Sequence, residues 1–221
     1  MDTLSSARPD RPAPNLAERM KILEAAIGME APAAAGQADL WTRSGEQPIC
    51  FTAPHGAPHW RGFWRPRDRW TGPIAIEAAR AASGFSLIAA GAALADGGAG
   101  TGEFPAELAR LVRERGLRLI VDLHGGAADR ENPEVLVGTG GAKPDALVDA
   151  AIGIFREAGF EVALREAGFG AGVSNGSIVR YAREELGVGA LQLTLGDALR
   201  ESAGAGDERL IKVLAALTAL V

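Results

Sequence analysis

Apolar positions along this chain change rhythm repeatedly, alternating between helical spacing and short unbroken runs. Leu16, Met20, Leu23 and Ile27 recur every three or four residues, and Gly28 stops the series. Asn15 opens it with Glu18 three residues on, a capping box in which each side chain can satisfy the other's free amide. Short apolar runs at 48–53 (PICFTA), 85–90 (FSLIAA), 117–123 (LRLIVDL), 135–137 (VLV), 160–164 and 189–195 predict strands. Between them, the spacing predicts helices over 73–83, 104–115, 144–158, 175–186 and 207–220. The second of these carries Phe104, Leu108, Leu111 and Val112 on one face before Gly116.

Strands that are apolar throughout, rather than alternating, belong to sheets covered on both faces. With strands and helices taking turns, the expected fold is α/β: a mostly parallel or mixed sheet flanked by helices. The strands ending at Ala53, Leu123 and Leu195 are expected to be neighbours or near-neighbours in it. Residues 1–14, rich in Pro, Ser, Asp and Arg, are expected to form a mobile arm, and 15–221 a single domain with an Ala/Pro/Gly linker at 30–38.

Composition narrows the function. The 221 residues are 47% hydrophobic but only 5% aromatic, which favours small side chains packing helices closely onto the sheet. A net charge of −5 argues against a general nucleic-acid binder, whose affinity comes from clustered Lys and Arg. Cys50, the only cysteine, excludes an internal disulfide and a thiolate cluster, and within an apolar strand it reads as a buried, inert thiol. The N-terminal residues lack the apolar core of a secretory signal and no run approaches the roughly 20 apolar residues of a membrane helix, so a cytoplasmic location is expected. Trp60 to Trp70 interleaves aromatics with arginines, a pattern open to a pocket lid, an oligomer contact or base stacking. The glycine-rich stretches at 97–102, 138–141 and 168–172 lack the P-loop and dinucleotide patterns and read as loops, and Ser174-Asn175 reads as a helix start.

The chemistry gathers at histidine. His55 and His124 stand in matching contexts, each directly after an expected strand and directly before a glycine. In open α/β sheets ligands collect beyond the carboxyl ends of the strands. Two imidazoles delivered there could share one metal ion, and a catalytic zinc takes a third protein ligand. Asp68 is the preferred third ligand and His59 the reserve. Asp122 is read as turned away from His124 by strand alternation, yet able to orient an imidazole.

Pro54-His55-Gly56, the Asp68-x-x-Thr71-Gly72 segment, Asp122-Leu123-His124-Gly125 and Gly138-Thr139-Gly140 together resemble the N-formylglutamate amidohydrolase-like proteins, relatives of zinc carboxypeptidases and aspartoacylases. The resemblance spans about Cys50 to Arg200. It implies a phosphorylase/hydrolase-like three-layer sandwich and a zinc-dependent amidohydrolase of an N-acyl amino acid or similar small acidic amide. It also implies His55, Asp68 and His124 as metal ligands. Arg130, Gly138 and Thr139 would lie on the substrate rim, with Arg65 or Arg67 helping to pair the substrate carboxylate.

Two departures stand out. Members usually carry a glutamate on the last strand, where this chain has Thr194, and threonine cannot act as a general base near neutral pH. Either Glu201 or Glu166 substitutes, or the chain is a non-catalytic member that binds a ligand or a partner. The His-x-x-Glu spacing is also missing, because Pro58 stands three residues after His55.

Overall fold

The structure, a computed structural model, describes residues 13–29, 39–60, 64–90, 103–126, 133–165 and 177–221. The expected arm and the 30–38 linker therefore lie almost wholly outside the described residues. The capping box forms as expected. Glu18 N donates to Asn15 Oδ1 at 3.0 Å and Asn15 N to Glu18 Oε2 at 2.9 Å, opening helix α1 (Leu16–Met29).

A seven-stranded sheet runs in the order β1-β5-β2-β6-β9-β7-β8. Its centre is parallel: β5 (Phe85–Ala90), β2 (Ile49–Ala53), β6 (Leu119–Gly126) and β9 (Gly189–Gly196). The three strands expected to be neighbours or near-neighbours, β2, β6 and β9, are adjacent. β1 (Asp39–Arg43) adds an antiparallel edge on β5. At the other edge β7 (Val135–Gly138) runs antiparallel to β9, and β8 (Val162–Arg165) runs parallel to β7. The two-residue strands β3 (His59–Trp60) and β4 (Trp64–Arg65) form a separate antiparallel pair.

Alternate residues of the central strands face opposite ways. Phe51, Ala53, Val121, Leu123, Leu191, Leu193 and Leu195 are fully buried in one cluster with Met20 and Ile27 of α1 and Ile74 of α2 (Thr71–Ala81). Leu199 of α6 (Asp197–Ala205) and Leu210 and Leu217 of α7 (Glu208–Thr218) join it. Val148 and Phe155 of α4 (Ala146–Glu157) extend it under β7 and β8. On the opposite face Cys50, Ile120 and Ala190 meet Leu108 and Leu111 of α3 (Glu103–Arg115) and Val179 and Ala182 of α5 (Ile178–Glu184). Helices on both sides of a mixed sheet make the three-layer α/β sandwich the sequence predicts. Among the described residues no helix is long and apolar enough to cross a membrane.

Several boundaries differ from expectation. β6 continues through His124, Gly125 and Gly126, so His124 lies inside a strand rather than after it. β1 and α6 were not anticipated, and the helix expected over 175–186 is described only from Ile178 to Glu184.

Candidate metal centre

β2 ends at Ala53 and the chain turns at once. Gly56 sits so close to β5 that a β-carbon would lie 2.8 Å from the Ala89 carbonyl oxygen, and this tight corner delivers His55 beside β6. His55 Nδ1 lies 3.0 Å from His124 Nδ1, with the rings edge to face. The chain returns at Asp68, whose backbone N–H donates to the His55 carbonyl at 2.8 Å. Asp68 Oδ2 lies 3.5 Å from His55 Nδ1 and 3.8 Å from His124 Nδ1, and accepts the Gly125 N–H at 2.9 Å. Burial works to raise the Asp68 carboxyl. The hydrogen bond and charge of His55, the charge of His124 and the Gly125 amide outweigh it and hold the group below its ordinary value.

Those three atoms fit a divalent ion. Ligands 2.0–2.2 Å from a tetrahedral zinc stand about 3.4 Å apart, and the observed separations of 3.0, 3.5 and 3.8 Å straddle that figure. They form the one candidate metal group among the described residues. One oxygen and two imidazole nitrogens are also the donors that zinc prefers.

Asp122 requires a correction. Residues two apart on a strand share a face, so Asp122 points the same way as His124, not away from it. Its Oδ2 lies 2.8 Å from His124 Nε2. A carboxylate there keeps the ring proton on Nε2 and makes Nδ1 the atom that could ligate a metal. Thr52 donates to Asp122 Oδ1 at 2.6 Å, an unanticipated third link from the neighbouring strand.

Thr194 pairs in register with His124 across β6 and β9. It is buried, and its hydroxyl accepts from Gln192 Nε2 at 3.0 Å. Of the carboxylates suggested in place of the missing glutamate, Glu201 is exposed on α6 with an oxygen 3.6 Å from Arg69 Nη1. Glu166 and Arg130 lie outside the described residues, as do the side chains of His59 and Arg65.

Arg67 is engaged elsewhere. Its Nη2 lies 2.9 Å from Glu24 Oε1, its Nη1 donates to the Glu24 carbonyl at 3.2 Å, and its guanidinium covers Gly28 at the end of α1. That places a cation beside the last turn of the helix, where the helix dipole favours positive charge. Gly138 and Thr139 also depart from the expected rim. β7 runs antiparallel, so Val135 lies at the carboxyl edge beside Leu195, while Gly138 lies beside Gln192, farther from that edge. Thr139 is buried with its hydroxyl donating to the Ala142 carbonyl at 2.7 Å. Cys50, at the foot of the polar face, is fully buried; burial first and the Asp122 charge second push its thiol well above the ordinary range, as an inert thiol requires.

No family model matches the sequence, and no curated protein does. The fold, however, is that of several hydrolases of known structure, and the likeness extends over most of each chain. The structure of the zinc-free form of YNDL covers 83% of this chain and 88% of its own, with a TM-score of 0.56 and 16% identity. A bacteriophage poly-γ-glutamate hydrolase covers 85% and 89%, with a TM-score of 0.54 and 12% identity. N-formylglutamate amidohydrolase from Ralstonia eutropha covers 83% and 96%, with a TM-score of 0.50 and 15% identity. The resemblance drawn from the short motifs is thus matched by a shared fold.

Proposed function

We propose that this protein is a zinc-dependent hydrolase that cleaves the C–N bond of an N-acyl amino acid or a similar small acidic amide. The observation that carries this reading is the convergence of His55 Nδ1, His124 Nδ1 and Asp68 Oδ2 at separations of 3.0–3.8 Å. The donor set leaves a coordination position open, as catalytic zinc sites do. When bound there, zinc supplies a Lewis acid for an amide carbonyl and lowers the pKa of water to near neutrality. Asp122 holds the His124 proton on Nε2, and the Gly125 amide steadies Asp68 Oδ2. Arg130 and Arg65 are proposed to pair the substrate carboxylate. Two of the proteins sharing the fold are named for glutamate amides, which supports an acidic substrate.

Elemental analysis of purified protein tests the metal: about one zinc per chain is expected, lost in His124→Ala. Hydrolysis of formyl- and acetyl-glutamate and -aspartate, followed by amine release, tests the reaction. A chain that takes up no zinc and releases no amine overturns the reading.

Thr194 supports a second reading, a non-catalytic member that binds its ligand without cleaving it. A buried hydroxyl beside His124, bonded to Gln192, offers no base. Thr194→Glu separates the two. If the metal and pocket are intact and only the proton shuttle is missing, turnover rises by roughly 10²–10⁴-fold. A fast native enzyme that Thr194→Glu leaves unchanged would put the base elsewhere, with Glu201 and Glu166 the proposed substitutes.

A further inference from the structure

Asp68 is the proposed ligand farthest in sequence from any strand of the main sheet. It sits in an irregular segment between β4 and α2, and the next residues make a costly turn. Trp70 caps α2 in the left-handed region at φ 69°, a conformation bulky residues rarely adopt without external restraint. Two buried charged side chains from distant parts of the chain supply that restraint.

The first is Glu24 of α1, only 5% exposed. Its Oε2 accepts the Trp70 N–H at 3.1 Å, while its Oε1 lies 2.9 Å from Arg67 Nη2 and 3.6 Å from Arg69 Nε. One carboxylate thus grips the residues on both sides of Asp68. The second is Arg200 of α6, 8% exposed. Its Nη1 donates to the Arg69 carbonyl at 2.9 Å, its Nε to the Leu195 carbonyl at 3.1 Å and its Nη2 to the Gly126 carbonyl at 3.3 Å, with Asp197 balancing the charge. The guanidinium lies over Gly125 so closely that a β-carbon there would stand 2.8 Å from Cζ. Arg200 therefore ties the Asp68 segment to the ends of β6 and β9, beside the amide that holds Asp68 Oδ2.

We propose that Glu24 and Arg200 are positioning residues that together hold Asp68 in ligating geometry, making the N-terminal helix part of the metal centre. The inference rests on the metal reading above for its affinity test, but not for its second measurement. Zinc affinity is read by competition with a chromophoric chelator on Glu24→Gln, Arg200→Met and the milder Arg200→Lys. The matched control is Glu77→Gln, which removes another buried carboxylate, 5% exposed, whose ion-pair partners among the described residues are Arg19 and Arg80. Displacing a ligand's supporting partner typically weakens metal binding 10–100-fold, and that loss is expected for Glu24→Gln and Arg200→Met, less for Arg200→Lys, and none for Glu77→Gln. Hydrogen exchange of peptides containing the Asp68 and Gly125 amides, measured without metal, should speed up in the same variants.

Folded Glu24→Gln and Arg200→Met proteins with native affinity and native exchange would overturn the proposal. So would an equal loss of affinity in Glu77→Gln, which would mark a general loss of stability. If the native chain takes up no zinc, the hydrolase reading falls while exchange still judges the clamp: unchanged protection at Asp68 and Gly125 overturns it.

Discussion

The two faces of β2, β6 and β9 obey opposite rules. On one, Phe51, Ala53, Val121, Leu123, Leu191, Leu193 and Leu195 are fully buried and apolar from end to end. On the other, Cys50, Ile120 and Ala190 start apolar, and the same rows then turn to Thr52, Asp122 and Gln192, followed by His124 and Thr194. Dispersion and burial hold the first face together. The second packs its first row against α3 and α5, and beyond that row it depends on polar groups that satisfy one another, Thr52 on Asp122, Asp122 on His124 and Gln192 on Thr194. One set of strands therefore provides stability on one side and reactive geometry on the other.

Breaking the apolar face should cost most. Phe51→Ala should lower unfolding free energy by about 3–5 kcal/mol in chemical denaturation, with zinc affinity of the remaining folded protein unchanged. Asp122→Ala should cost less stability, about 1–3 kcal/mol from the stranded Thr52 hydroxyl, yet weaken zinc binding by about 10–100-fold because His124 loses its orienting partner. A stability loss without an affinity loss would count against the division between the faces. Thr52→Val keeps shape and removes one donor, so about 0.5–1.5 kcal/mol and an affinity change of only about two- to threefold are expected in the same assays.

Asp145, the N-cap of α4, lies on neither face and sharpens the contrast through pH. Its carboxyl is held below its ordinary value chiefly by the Arg183 hydrogen bond, against an opposing burial effect and with help from the Val148 amide. A depressed folded pKa means that its stabilisation is present above the unfolded value of about 3.9 and is lost as pH falls through the folded value. Asp145→Ala should cost about 1 kcal/mol at neutral pH. The difference from the native chain should shrink toward zero in denaturation curves taken at progressively lower pH. Zinc affinity should not change.

The central strands were legible because buried parallel strands are written as apolar runs, and the His-Gly contexts pointed to the edge where ligands gather. Strand direction was not legible. Val135 to Val137 reads the same whichever way β7 runs, while the rim placing of Gly138 and Thr139 came from the motif resemblance alone. β1 hides because an edge strand with only Leu40 and Trp41 apolar carries little pattern, and α6 because its Ala, Gly and Ser content resembles a loop. The Asp122–His124 contact could have been read from residue parity alone. Glu24 and Arg200 left no local signal: their contacts to the Asp68 segment span 46 and 131 residues.

That sequence separation has a kinetic consequence. His55 and His124 are 69 residues apart, and the Thr52–Asp122 bond beside them spans 70. Loop-closure entropy must be overcome before such pairings reward the chain, so sheets built from them form slowly. Neither half of the chain can build the histidine pair alone. During synthesis the corner after β2 waits until β6 has emerged and docked beside it, so the proposed metal site can assemble only once these two distant segments have paired.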